Sequence, residues 1–206
     1  MSKRLDLIKS LIVPTKVIAD VGCDHGLIAE YCTKVAERVI ASDISEKCLQ
    51  KAKDKLVGAK NVSFICCDGL KYTCDEAIIS GMGGILISRI LREAECLPKT
   101  LIVSPHRDEG LVRTTLIELG YGIDADIPVF DRSKYYSVIR ADKDCGIRQL
   151  SHLQTLFGVD CATPNDVLKK RLFQLLDTYS VAPQQNGQIL SDIKAVMQLQ
   201  QIVNIE

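Results

Sequence analysis

Hydrophobic positions along this chain show two textures. Short β-branched runs occur at Val17-Ile18-Ala19, Val39-Ile40-Ala41, Asn61 to Cys66, Ala77-Ile78-Ile79 and Thr100 to Val103, and each leads into an acid, a glycine or a serine. Runs this short and apolar on both sides predict buried parallel strands. Between them apolar residues return every three or four positions, the helical period. The opening segment from Lys3 to Leu11 is of this kind, with Leu5, Leu7, Ile8 and Leu11 on one side and Pro14 as its stop. Helices are likewise predicted from Leu27 to about Glu37, from an N-cap at Ser45 through Leu56, from Ile85 to about Ala94, and after Ser104-Pro105-His106-Arg107-Asp108 up to Gly120 as the residue past the helix end. Two last runs, Tyr121 to Phe130 and Tyr135 to Ala141, are separated only by Asp131-Arg132-Ser133-Lys134, a link that allows only an antiparallel hairpin. Five βα units and a hairpin make an α/β fold, a doubly wound and mostly parallel sheet with an antiparallel edge.

Beyond Asp142 the texture changes, with no strand signals and more Gln and Leu. Thr163-Pro164-Asn165-Asp166 is a helix start with Thr163 as N-cap and Pro164 at the first helical position. Leu168, Leu172, Leu175 and Tyr179 recur at 4-3-4 spacing, and Ile189, Ile193, Val196 and Gln200 repeat it after a turn at Pro183 to Gly187, with Val203 three further on. These seams predict a coiled-coil-like antiparallel helical hairpin, either a cap on the sheet or an arm for a partner. The chain divides into 1–142, a sheet domain, and 143–206, a helical appendage.

Composition narrows this only a little. The 206 residues, 47% hydrophobic, suit one ordinary domain with a small addition. A formal net charge of zero means that any contact with nucleic acid must come from a local patch. No apolar run approaches a membrane span, and the N-terminal residues carry no secretory pattern. The nine cysteines form no C-x-x-C pair, and Cys66 and Cys67 are adjacent. That favours reduced thiols used as small core residues, a cytoplasmic location and no metal. The oligomeric state stays open, a monomer being the simpler reading.

The chemistry-bearing loops all follow strand C-terminal ends, the rim where open α/β sheets bind ligands. Asp20-Val21-Gly22-Cys23-Asp24-His25-Gly26 is a glycine turn at the mouth of a helix, but an acid stands where the dinucleotide fingerprint needs its second glycine. This argues for a nucleoside ligand without a pyrophosphate, and against a nicotinamide oxidoreductase. Asp43, ending the second strand, suits vicinal ribose hydroxyls, and Asp68 beside Gly69 and Leu70 suits an adenine amine. Asp20 is left to orient the turn or to meet a cationic amino-acid tail. S-adenosylmethionine satisfies these demands.

The stretches Ser2-Lys3-Arg4-Leu5, Ala19 to Gly26, Cys67 to Leu70 and Ile79-Ser80-Gly81-Met82-Gly83-Gly84, with Lys134-Tyr135-Tyr136, resemble the bacterial tRNA adenine-N1 methyltransferase family that modifies adenine 22 in the D-arm. The resemblance implies a Rossmann-like seven-stranded methyltransferase sheet, S-adenosylmethionine as donor and tRNA as acceptor. It implies a cofactor site of Arg4, Asp20, Gly22, Cys23, Asp43, Ile44, Asp68, Gly69, Leu70, Ser80, Gly81 and Met82. Asp24 and His25, with Tyr31 a helical turn on, match positions near the transferred methyl, and Gly83 and Gly84 belong with Gly81 to the pocket for the flipped adenine. The chain departs from the family at Ser104-Pro105-His106-Arg107 and at Gly26-Leu27.

Adenine N1 carries a lone pair and a sulfonium methyl is already activated, so positioning supplies most of the acceleration once the base has left its stack. Asp24 is the candidate to stabilise the cationic product or take a proton from N6, the alternative being a helix cap. His25 and His106 are either proton carriers or structural. Phosphate contacts are expected from Lys3, Arg4, Arg107, Arg113 and, on the arm, Lys169, Lys170 and Arg171. The stripe Lys47, Lys51, Lys55 is by default a solvated face. A methyltransferase with a small-molecule acceptor, and a non-catalytic module binding cofactor and tRNA, remain as other readings.

Overall fold

The computed structural model describes residues 2–202; Val203 of the predicted seam lies outside them. Helix α1 (Lys3–Leu11) precedes β1 (Thr15–Val21), α2 (Leu27–Cys32), β2 (Ala36–Asp43), α3 (Glu46–Lys55), β3 (Val62–Cys66) and β4 (Glu76–Ser80). Then follow α4 (Gly84–Arg92), β5 (Thr100–Ser104), α5 (Glu109–Glu118) and the strands β6 (Gly122–Asp131) and β7 (Lys134–Asp142). The seven strands form one sheet in the order β3-β2-β1-β4-β5-β7-β6; the pairings through β5 are parallel and those of β7 with β5 and with β6 antiparallel, so β7 runs against the other six.

Strand periodicity sorts the core into two layers. Ala19, Val21, Ile79, Leu101 and Val103 point to the face covered by α4 and α5, through Ile87, Leu91, Val112 and Leu116. Their neighbours Ile18, Val39, Ala41, Ile78 and Ile102 face α1, α2 and α3, through Ile8, Ile28 and Leu49. With helices on both faces, the loops at strand C-terminal ends are left free to form a site.

Local signals and packing disagree in a few places. Helix α2 ends at Cys32, short of the expected Glu37, because Ala36 to Arg38 pair with Thr15 to Val17 of β1 and the sheet takes them. The hairpin link is two residues, Arg132-Ser133, since Asp131 pairs with Lys134. A short helix, α6 (His152–Phe157), was not anticipated; a capping box between Ser151 and Gln154 starts it. Helix α7 (Asp166–Ser180) is capped by Asn165 in place of Thr163, Oδ1 accepting from the Val167 and Leu168 N–H groups. The Thr163 carbonyl accepts instead from Gln200, whose side chain also bonds the Cys161 carbonyl and the Asn165 N–H.

Helix α8 (Gly187–Leu199) runs antiparallel to α7: Gln200 sits beside Asn165 at one end and Asn186 donates to the Tyr179 carbonyl at the other. Leu168, Leu172, Ile193, Val196 and Met197 make a separate apolar cluster with Phe157 and Cys161. The unit is fastened to the sheet domain by polar groups. The Arg113 guanidinium, 0% exposed, donates to Asp126, to Ser137 and to the Thr155 and Leu156 carbonyls, and Arg171 pairs with Glu109 at 2.9 Å.

Candidate active site

The rim at the strand C-terminal ends holds two adjoining cavities. One, of about 340 Å³, is lined by Asp43, Ile44, Asp68, Gly69, Met82, Leu86, Arg89 and Ile90 among others. The other, of about 500 Å³, lies toward α1 and the hairpin and is lined by Ser2, Arg4, Asp20, Cys23, His25, His106, Arg132 and Tyr136 among others. Gly22, Asp24, Ser80 and Gly81 line both, so the cavities meet at the turn after β1 and at the end of β4. Another cavity, of about 420 Å³ between β6 and α7, shares no residue with them.

The turn is built by backbone hydrogen bonds that need a left-handed start. Gly22 has φ +73°, and its N–H and that of Cys23 both donate to the Ser42 carbonyl at the end of β2. A Cβ at Gly22 would also lie 2.0 Å from the Met82 methyl, so only glycine lets that side chain rest on the turn. The Asp20 carboxylate accepts the Ala29 N–H at 2.9 Å and so holds the start of α2, whose N-cap, Gly26, has no side chain to do it. Burial pushes the Asp20 carboxyl up to about 7, against the downward pull of that N–H. Burial likewise pushes the Cys23 thiol up to about 12, leaving an inert thiol in the wall.

Asp24 does not cap α2. It sits at φ +42°, its N–H donating to Asp43 Oδ2 at 3.1 Å, while Asp43 Oδ1 accepts the Ser45 N–H at 2.9 Å. One acid thereby ties the turn to α3 and fixes where Asp24 points. The Asp24 carboxylate lies 2.6 Å from His25 Nδ1 and 3.6 Å from Lys51 Nζ. Partial burial raises its pKa, but hydrogen bonds from His25 and Cys48 and the charges of His25 and Lys51 outweigh that and hold it below the usual carboxylate range. An ionised carboxylate therefore stands where the two cavities join.

Across the smaller cavity, Arg89 Nη2 meets Asp68 Oδ1 at 2.8 Å and lowers its pKa. Ile44, 70% exposed, and Leu86, 39% exposed, offer apolar walls there. Across the larger one, the Arg4 guanidinium lies 4.9 Å over the Tyr136 ring, and its Nη1 is buried without a hydrogen-bond partner among the described residues. His106 packs edge-on against the same ring at 5.6 Å. Burial lowers the His106 pKa, and the charges of Arg4 and Lys134 lower it further, so the imidazole is neutral at pH 7.

Several anticipated residues lie elsewhere. Leu70, 1% exposed, is core beneath the rim and lines neither cavity. Tyr31, on α2, lies under the Lys9 ammonium of α1 at 5.9 Å, against the core layer that α1 and α2 share, and lines neither cavity. Gly84 is a packing glycine: a Cβ there would fall 2.4 Å from the Asp108 carbonyl oxygen, where the loop after β5 crosses α4. Gly83, its N-cap, lines neither cavity. Arg113 is wholly buried and Arg171 is paired with Glu109, so neither is free for phosphate, whereas Lys3, Arg107 and Lys170 are exposed and Lys169 is half-buried. Arg89, Lys51, Arg132 and Tyr136 were missed as site residues. Helical and strand periods make them ordinary surface positions, and only the Arg-Ser hairpin turn, where glycine or asparagine is usual, was a local signal.

A seven-stranded sheet in this order, with its last strand pair antiparallel and a glycine-turn trough on the C-terminal rim, is the Rossmann-like methyltransferase architecture. Residues 1–139 match the family model described as a methyltransferase domain, and the chain belongs to that family. It is 30% identical over 153 residues to a Mycoplasma pneumoniae protein provisionally named a tRNA methyltransferase, covering 69% of this chain and 72% of that one. It is 28% identical to the tRNA (adenine(22)-N(1))-methyltransferase of Bacillus subtilis, over 97% of this chain and 94% of that protein. A crystal structure of the B. subtilis m1A22 tRNA methyltransferase superposes with a TM-score of 0.80 at 27% identity, over 98% of each chain. A Streptococcus pneumoniae structure in complex with S-adenosyl-L-methionine has a TM-score of 0.87 at 23% identity, over 97% of this chain and 99% of that one. Among the described residues no helix is long and apolar enough to cross a membrane, and no cluster of three or more His, Cys, Asp or Glu side chains could hold a metal ion.

Proposed function

We propose that this methyltransferase uses S-adenosylmethionine to methylate N1 of adenine 22 in tRNA, in the cytoplasm. The observation that carries the reading is the division of one trough into an apolar, acid-rimmed half and a polar half, joined at an ionised Asp24. The names of the relatives supply the acceptor.

The trough fits the cofactor. The larger cavity holds a buried guanidinium nitrogen without a partner on Arg4 and a buried carboxyl without a counter-cation on Asp20, a matched pair for the carboxylate and ammonium of an amino-acid end. In the smaller cavity each Asp43 oxygen has accepted one N–H and keeps a lone pair for a ribose hydroxyl. Ile44, Leu86 and Ile90 can sandwich a flat base, with Asp68 at its edge held by Arg89. Gly22, Gly69, Ser80, Gly81, Cys23 and Met82 supply walls. Bound there, S-adenosylmethionine supplies an electrophilic methyl on sulfur.

The chain's own part is placement and charge. Asp24 faces the junction as a carboxylate, stabilises positive charge developing on the alkylated adenine, and can hydrogen-bond its N6 amine, the group from which the cationic product loses its proton to solvent. His25 and Lys51 keep it ionised; His106, neutral and braced by Tyr136, can donate one hydrogen bond to the incoming base. Incubating the protein with unmodified tRNA and methyl-labelled cofactor, then mapping the labelled base, tests the reading. Label at N1 of adenine 22 is expected; label on a small-molecule acceptor alone, or none, overturns it.

A further inference from the structure

The hairpin between β6 and β7 turns in two residues, Arg132 and Ser133, at φ +47° and +64°. Consecutive left-handed residues define the tight turn that normally takes Asn-Gly, because a Cβ is strained in both positions. The chain holds this geometry with neither residue and anchors it: Asp131, just before the turn, accepts the Ser2 hydroxyl at 2.8 Å and the Lys3 N–H at 2.9 Å. Those bonds occupy both Asp131 oxygens and dock the start of α1 against the turn.

The consequence is a local concentration of positive charge on a chain whose net charge is zero. Lys3, Arg132 and Lys134 are all exposed and none is in an ion pair among the described residues. Arg132 lines the larger cavity alongside Arg4, His106 and Tyr136. With Arg4 given to the amino-acid end of the cofactor in the reading above, Arg132 is left as a cation in the wall of the larger cavity without an ion-pair partner among the described residues, with Lys3 and Lys134 close by at the same turn. A base leaving a stacked helix brings its flanking phosphates with it, and these need a counter-charge at the cavity mouth.

We infer that the turn is a phosphate clamp, in which Arg132, flanked by Lys134 and Lys3, grips the RNA backbone phosphate next to the adenosine entering the larger cavity. This rests on the acceptor reading above, and the turn's strained geometry serves to aim one guanidinium at that mouth. A planar guanidinium suits two phosphate oxygens, which a lysine at the same place reaches only as a point charge.

Binding of unmodified tRNA transcript is measured from 50 to 200 mM salt, with binding of S-adenosylhomocysteine measured separately. Arg132→Gln is expected to weaken tRNA binding roughly tenfold and to reduce the slope of log affinity against log salt by about 0.9, the share of one phosphate. Arg132→Lys should keep the slope and lose part of the affinity. Binding of S-adenosylhomocysteine and the melting temperature should not change. Wild-type tRNA affinity and slope in Arg132→Gln overturn the clamp, as does a loss that falls on S-adenosylhomocysteine, which would give the site to the cofactor's carboxylate. The binding assay needs no turnover. A chain that binds tRNA without methylating it overturns the acceptor reading, and the Arg132 result still decides the clamp.

Discussion

Arg113 is the most demanding test of how the two parts of the molecule hold together. Its five N–H groups all find acceptors: Nε to Asp126 Oδ2 at 2.7 Å, Nη2 to Asp126 Oδ1 at 3.1 Å and Ser137 Oγ at 3.0 Å, and Nη1 to the Thr155 and Leu156 carbonyls at 2.9 and 3.3 Å. Both charged side chains are 1% exposed. Arg113→Met leaves Asp126 with the Val159 N–H alone and strips the last carbonyls of α6 of their donors. Breaking a buried pair from one side costs about 3–5 kcal/mol, a large share of a typical total of about 5–15. With a urea m-value of about 2 kcal/mol/M, the unfolding midpoint should fall by about 1.5–2.5 M. Far-UV circular dichroism across a urea titration reads it directly. Arg113→Met/Asp126→Asn should recover part of the loss, because the amide carries no charge to desolvate and its oxygen still accepts the Val159 N–H. A single variant within about 1 kcal/mol of wild type would refute the structural role of the Arg113–Asp126 pair. So would a double variant no better than the single one.

Three further outcomes follow from the site. Asp24→Asn should lower kcat about 10²-fold while S-adenosylhomocysteine binding stays within about twofold; equal turnover would leave the carboxylate without a catalytic role. Cofactor affinity should fall with acid: Asp20 titrates at about 7, an arriving ammonium selects its ionised form, and binding therefore releases a proton. At pH 6 the affinity should be about tenfold below its high-pH plateau, as read by calorimetry, and Asp20→Asn should flatten the profile. Gly84→Ala forces a methyl to 2.4 Å from the Asp108 carbonyl oxygen, so it should cost about 1–3 kcal/mol and raise the acceptor KM by shifting the loop that carries His106. A melting curve and KM both equal to wild type would show that the loop yields freely.

Much of the sheet could be read from the chain because its causes are local. A run such as Val39-Ile40-Ala41 is a strand for the same reason wherever it sits, and Ser45 caps α3 through a bond to Cys48 three residues on. The glycine turn announced itself by its spacing. The misreadings have one character. Thr163 looked like the cap of α7, yet Gln200, 37 residues away, claims its carbonyl. Asp24 looked able to cap α2, but Asp20 does so from the strand below. Arg113, an unremarkable basic residue in a helix, is buried because Asp126 arrives from β6 and α6 ends above it.

The sequence by itself determined the order of strands and helices in the sheet domain, the rim on which the glycine and acid loops fall, and the acids and glycines that we assign to a nucleoside. Periodicity and turn chemistry act within a few residues, so they survive in a one-dimensional reading. Only the tertiary structure decided the pairings: Arg89 with Asp68, Arg4 over Tyr136, Asp43 with the turn that carries Asp24, and Asp131 with the first residues of the chain. Each joins groups 19 to 132 residues apart, and a charged side chain's role is set by what packing brings within about 3 Å of it, or about 5 Å for a cation over a ring, not by its neighbours along the chain.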